Sequence, residues 1–256
     1  MHATAILAYH EEHPIYLYYV GRKHAGENFD CLLENRTEGL PVPFQMGDAS
    51  SCNTKHNHET IPIFCNSHGV RKFKDTMEAF DWESTHILSL FGKVFKNHAE
   101  TKTMTKEERL AHQQQHSEVH MAQLYVFMTM LMKKKLVEPN SMLAKAMKYM
   151  LKRWSGFTCL LRTAGAPLDN NIIERALKLI IRFRKNALFY KNENGALIGS
   201  LLTSIPTTTT AAGANPMDYL QAVQIYRKDV AQTPELWCPW NYRERLAQLA
   251  PAKASA

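Results

Sequence analysis

The sequence predicts an α/β fold, a small mixed sheet separated from its closing helices by a long all-helical insertion. Three observations carry this. Runs rich in aromatic and β-branched residues cluster before Cys65. From Arg71 to Leu161 the apolar residues repeat at helical spacing. After Pro167 a new helical series opens with the capping residues Asp169, Asn170 and Asn171.

Each element can be read in order. Thr4–Tyr9 and Ile15–Val20 read as two strands, and His10–Pro14 suits a hairpin connection. Ala25, Phe29, Leu32 and Leu33 fall at helical spacing, and Gly39, Pro41 and Pro43 end that helix. Val42–Met46 reads as a short strand that stops at Gly47 and Asp48, and Ile61–Cys65 as a further one. In the helical stretch, Met121, Leu124, Tyr125, Met128, Leu131 and Met132 form one apolar stripe. Leu143, Met147, Met150, Leu151 and Trp154 form another, and methionine at such positions reads as core. Thr103–Ser117 is polar and reads as a solvated helix, alone or with a loop. Beyond Pro167, Glu174 lies in the first turns while Ile173, Ala176, Leu177 and Ile180 face a core. A helix from Asn194 to Ile205 is expected to break at Pro206 and the four threonines after it. Met217–Arg227 reads as a last helix started by Asn215 and Pro216, and the tail after Pro251 as disordered.

Composition narrows the partners. The chain has 256 residues, a formal net charge of +7 and a pI near 9.1, which favours a polyanion, nucleic acid first and an anionic membrane second. No secretory signal is visible, and no apolar run approaches the ~18 residues that span a bilayer. Cys31, Cys52, Cys65, Cys159 and Cys238 are odd in number and widely spread. That argues against a disulfide framework and fits a reducing cytoplasm.

Two carboxylates then stand out. Two antiparallel strands, a helix and a strand ending in an aspartate resemble the ribonuclease-H-like fold entered partway, without its first strand. Asp48 follows a strand and Glu174 lies on a late helix, 126 positions on (174 minus 48). An insertion of about one small domain must lie between them. Paired carboxylates suit phosphodiester chemistry, because two Mg²⁺ ions held about 3.5–4 Å apart can activate a nucleophilic oxygen and stabilise a leaving one. On spacing alone, Asp48 can equally be a turn former and Glu174 a partner of the helix dipole.

The motifs around these residues add a resemblance. P-L-D-N-N-I-I-E-R-A-L-K (Pro167–Lys178), R-K-N-A-L-F-Y (Arg184–Tyr190) and N-G-A (Asn194–Ala196) are similar to the segment around the third acidic residue of the insertion sequence 66 family of bacterial transposases. Further blocks match in the same order: G-R-K-H-A-G-E-N (Gly21–Asn28), Q-M-G-D-A (Gln45–Ala49) and C-N-S-H-G-V-R-K-F (Cys65–Phe73). E-E-R-L (Glu107–Leu110), V-E-P-N-S (Val137–Ser141) and P-W-N-Y (Pro239–Tyr242) continue the series. The resemblance implies that Asp48 is the second catalytic acid and Glu174 the third, both holding Mg²⁺ (or Mn²⁺). It implies that Cys65 and His68 form a C-x-x-H accessory element. It further implies that Arg175, Arg184, Lys185 and Asn186 contact DNA.

The same resemblance implies a division of the chain. Residues 1–70 would be the ribonuclease-H-like core from its second strand, 71–165 the helical insertion, 166–212 core helices with the third acid, and 213–256 a C-terminal family element and tail. No residue matches the first catalytic Asp, and Asp30 sits in a helix, so the chain alone is expected to be inactive. Upstream DNA-end-binding and zinc-ribbon-like regions are likewise unmatched. Ile205–Ala212 departs from the helical sequence the family leads one to expect, as in a decayed copy.

Smaller signals have two readings each. Glu174, Lys178, Arg182 and Lys185 lie near one helical face, either as metal ligand plus phosphate contacts or as an i, i+4 pair on a solvated helix. Cys52, His56, His58, Cys65 and His68 could hold zinc, but their spacing matches no common finger, and Cys65 is as readily a packed thiol. Tyr16, Tyr18 and Tyr19 read as sheet residues before base-stacking ones. Trp237, Trp240 and Tyr242 could pack the tail on its own core or on a neighbouring subunit. The leading expectation is a transposase catalytic region acting on element ends and target DNA in a bacterial cytoplasm, as a homo-oligomer when full length, without membrane association. The alternatives are a non-catalytic DNA-binding remnant and a zinc-binding module.

Overall fold

A computed structural model describes residues 2–48, 57–186 and 190–249, leaving out the side chain of Arg184. Cys52, His56, Ala187 to Phe189 and the tail after Pro251 lie outside the described residues. The chain divides into two compact units, one of residues 1–32 with 172–256 and one of residues 33–171.

The first unit begins with strands β1 (His2–His10) and β2 (His13–Gly21), paired antiparallel from His2↔Gly21 to His10↔His13. Both are longer than their apolar runs. Only Glu11 and Glu12 turn the hairpin, with Glu11 at φ 54°, in the left-handed region that tight hairpins use. Helix α1 (Ala25–Glu34) follows, and its Asn28 amide donates to the Thr4 hydroxyl on β1.

The second unit holds β3 (Phe44–Gly47) parallel to β4 (Ile61–Phe64), in register Phe44↔Ile61 to Gly47↔Phe64. Its helices are α2 (Asn66–Lys74), α3 (Asp81–Glu100), α4 (Lys106–His116), α5 (Glu118–Lys133), α6 (Met142–Leu151) and the single turn α7 (Trp154–Phe157). Thr105 and Glu108 form a reciprocal capping box, which starts the otherwise polar α4. Ser141 caps α6 through the Ala144 N–H. The two expected stripes meet in one core, where Met121, Leu124, Met128, Leu143, Met147 and Met150 pack with Phe73, Phe91 and Phe157. Gly156 has to be glycine because a Cβ there would lie 2.8 Å from Phe64 Cε2.

The chain then returns to the first unit with α8 (Asn171–Asn186), α9 (Glu193–Ala211), α10 (Pro216–Ile225), α11 (Arg227–Gln232) and α12 (Tyr242–Leu249). The expected break at Pro206 does not occur, and α9 runs through it. Proline removes the bond to the carbonyl of Leu202, a residue exposed to water. Thr207 and Thr209 bind the carbonyls of Thr203 and Ile205, so the threonines satisfy the helix instead of competing with it.

What holds α9 is its contact with β2. Ser200, Ser204 and Thr208 accept hydrogen bonds from the N–H groups of Val20, Tyr18 and Tyr16 at 3.0, 2.9 and 3.0 Å. Four helical residues advance about 6 Å. Two strand residues advance about 6.6 Å. The two repeats therefore stay in step over three hydroxyls. Pro14 falls on the same side of β2 by the period of two, where its missing N–H leaves nothing to satisfy. Tyr18 is buried and donates to the Ala176 carbonyl on α8, and Tyr16 and Tyr19 lie half-buried in the same strand.

The C-terminal elements pack on their own chain. Trp237 and Tyr242 are buried with Ala222. Asp229 accepts from Trp237 Nε1 at 2.7 Å and from Arg245 at 2.7 and 2.9 Å. Trp240 stacks on His13 of the hairpin, 4.7 Å between centroids. Of the two readings of this tail, the structure shows the intrachain one.

Candidate functional site

Asp48 follows the last residue of β3 directly and is half-buried. Its carbonyl accepts a 2.8 Å hydrogen bond from the Tyr149 hydroxyl on α6. Burial pushes the Tyr149 hydroxyl above its ordinary pKa, so it remains a protonated donor at neutral pH. Two cations lie against the same ring, Lys72 Nζ at 4.5 Å and Arg153 Cζ at 5.0 Å from its centroid.

Cys65 stands at the N-cap of α2, fully buried. Its N–H bonds to the Gly47 carbonyl at 2.9 Å, tying α2 to the strand that leads to Asp48. Its Sγ accepts from the Asn170 N–H at 3.2 Å, and burial pushes the thiol pKa up. A buried, hydrogen-bonded thiol fits the packed role expected of Cys65. His68 lies half-buried in the first turn of α2, and His58 is half-buried before β4.

The next two residues hold the far segment. Asn66 is buried and its amide donates to the carbonyls of Phe157 and Leu168, both at 3.1 Å. Ser67 donates to Asp169 Oδ2 at 3.2 Å and accepts from the Asn171 side chain. Asp169 Oδ1 in turn accepts from the Asn171 N–H at 3.0 Å, which caps the start of α8. Of the three expected caps, Asp169 performs the task. Glu174 lies one turn further along α8 and is half-buried.

Beyond Glu174, α8 turns a basic row outward. Arg175, Lys178, Arg182 and Lys185 are exposed at i, i+3, i+7 and i+10, and Asn186 ends the helix in solvent. Ile180 is buried on the opposite side, as expected. Arg184 lies in the same helix. Sequence reading did not find Tyr149, Lys72, Arg153, Asn66 or Ser67. Asn66, Ser67 and Lys72 were within reach, since they belong to the Cys65–Phe73 block itself. Tyr149 stands 101 positions from Asp48 and gave no local signal.

Comparison with known proteins places this arrangement. A family model described as "Transposase IS66 family" matches residues 1–197. The chain belongs to that family. Among curated relatives of this transposase-family chain are three from Sinorhizobium fredii (strain NBRC 101917 / NGR234). "Uncharacterized protein y4jD" is 29% identical over 184 residues, covering 70% of this chain and 36% of the relative. "Uncharacterized protein y4hP" is 26% identical, covering 74% and 37%, and "Uncharacterized protein y4qI" is 26% identical, covering 73% and 35%. The chain thus spans about a third of the length of the relatives it matches. No solved structure matches it. No helix among the described residues is long and apolar enough to cross a membrane.

Proposed function

We propose that this chain is part of a transposase catalytic region, of ribonuclease-H-like type, in which Asp48 and Glu174 hold divalent metal for DNA cleavage and strand transfer. The observation that carries this is the family match over residues 1–197, together with Asp48 at a strand end and Glu174 one turn into a capped helix. Both are half-buried carboxylates on anchored backbone, and hard oxygen donors of this kind fit Mg²⁺ or Mn²⁺. Bound metal would polarise the phosphodiester and stabilise the leaving oxygen. The protein's own part is positional. Tyr149 fixes the backbone at Asp48, the Ser67–Asp169–Asn171 cap fixes the first turn of α8, and Cys65 joins the two segments as a buried neutral thiol.

None of the four described strands contains an Asp or Glu. A third carboxylate carried on a strand would therefore come from outside these four strands, and our reading is that the chain needs it for activity. The exposed row Arg175, Lys178, Arg182 and Lys185, with Arg184 and Asn186 on the same helix, would bind phosphates of element ends and target DNA. We extend the reading to the division of the chain at about residues 70, 165 and 212, to homo-oligomerisation when full length, and to a place on cytoplasmic DNA.

The test is metal binding without turnover. Mn²⁺ titrated into the 256-residue chain and followed by electron paramagnetic resonance should show bound ion, lost in Asp48→Asn and in Glu174→Gln. Binding that survives both substitutions sinks the metal assignment. Zinc recovered from metal-free buffer in its place would favour the zinc-binding module. DNA affinity with no metal binding in any form would favour the non-catalytic remnant.

A further inference from the structure

A second basic surface lies on the other unit, where the sequence reading placed none. Helix α6 carries Lys145 and Lys148, and Lys152 is its C-cap. All three are exposed, and at about 100° per residue they fall within an arc of roughly 60°. Tyr149 borders that arc, and its ring draws in Lys72 from α2 and Arg153 from the turn after α6. Arg71 and Lys74 are exposed on α2 beside Lys72. No acidic residue occurs within α2 or α6.

The bland account is that basic residues complement the negative C-terminal ends of these helices. It suits Arg71, Lys72, Lys74, Lys148 and Lys152. It does not explain Lys145, which lies in the first turns of α6, where the dipole disfavours a cation. Nor does it explain why two cations gather on one tyrosine ring. Among the described residues neither Lys72 nor Arg153 forms an ion pair with a carboxylate. Arg153 also donates to the Tyr149 carbonyl at 3.4 Å, and among these residues neither charge is met by a carboxylate.

Resting on the transposase reading above, we propose that Lys72, Lys145, Lys152 and Arg153 form a DNA-phosphate-binding surface that leads the duplex to Asp48. The occupant follows from charge and position. The surface is predominantly cationic, with Asp75 at its edge, and the tyrosine that gathers it also bonds the carbonyl of Asp48. Because that ring is covered by cations, Tyr149 organises the phosphate contacts and does not stack on bases.

Fluorescence anisotropy with a labelled duplex oligonucleotide, repeated across a salt series, tests this on the 256-residue chain. Each phosphate contact adds about 0.9 to the slope of log affinity against log salt. Combining Lys72→Gln, Lys145→Gln and Lys152→Gln should lower that slope by about 2 to 3. It should weaken binding about tenfold or more at moderate salt, with an unchanged thermal melt. If the melt moves, Lys145→Gln alone still has to lower the slope by about 0.9. A parallel variant with Arg175→Gln, Lys178→Gln and Arg182→Gln separates the two readings. Loss confined to the α8 variant overturns this surface and leaves the transposase reading intact. A parent chain that binds no duplex at low salt removes both. Undiminished DNA binding by the Lys72, Lys145 and Lys152 variant, with lost affinity for anionic phospholipid vesicles, also overturns the proposal and assigns the surface to a membrane.

Discussion

In residues 33–171 the large side chains point inward, and Phe73, Phe91, Phe157 and Met147 are fully buried in one continuous core. Helix α9, in the other unit, does the reverse. It turns Ser200, Thr203 and Thr208 inward against β2 and leaves Leu197, Ile198, Leu201 and Leu202 at 51–59% exposure. One unit is held by apolar burial, which is non-directional and tolerates imprecision. The β2–α9 contact of the other is held by a row of hydrogen bonds, each of which needs one atom in one place. The first should survive loss of a polar contact and fail on loss of volume, and the β2–α9 contact should show the opposite sensitivity.

Substitutions can break that contrast. Phe157→Ala should cost the 33–171 unit about 3–5 kcal/mol through lost transfer energy and a cavity, read by chemical denaturation. A loss below about 1 kcal/mol would mean the core collapses around the gap and is less well packed than it looks. Ser204→Ala leaves the Tyr18 N–H without its acceptor and should cost about 1–3 kcal/mol, with faster hydrogen exchange at that amide. Exchange unchanged at Tyr18 would show that the hydroxyls do not hold β2.

Acid tests the C-terminal cluster. Hydrogen bonds from Arg245 and Trp237 hold the Asp229 carboxyl below the usual carboxylate range. A depressed folded pKa gives stability that is present above the unfolded value and lost as pH falls through the folded one. Trp237 fluorescence should therefore be steady down to about pH 4 and shift only below it. A shift already complete near pH 6 would point to a histidine in its place. Tyr219, whose hydroxyl burial pushes up to about 12, remains protonated throughout and contributes nothing to the change. Smallest of all should be Leu201→Ser, within about 0.5 kcal/mol, because the side chain already faces water. A cost matching that of Phe157→Ala would show that α9 buries its outer face in solution.

How much was legible in the sequence follows the same division. The apolar stripes of the helical stretch, the capping residues and the family blocks are local signals, and the blocks singled out Asp48 and Glu174 as candidates. The break predicted at Pro206 was wrong because helix propensity knows nothing of β2. The hydroxyl of Thr208 has its partner 192 positions away at Tyr16. Tyr149 was missed for the same reason, as an unremarkable residue of an amphipathic helix until folding brings it to Asp48. The basic row of α6 was hidden in a stretch read only for its methionines.

The hydroxyl row on α9 has one more consequence, which concerns the direction in which the hairpin sheet can grow. By matching the strand repeat, α9 takes the place that a third strand would occupy beside β2, and an incoming strand there would have to displace three hydrogen bonds. At β1 the edge is nine residues long and has no proline, lysine, arginine, aspartate or glutamate to deter pairing. The helix thus makes the two sides of the hairpin unequal, so that any strand added to this sheet, from whatever polypeptide, joins at β1.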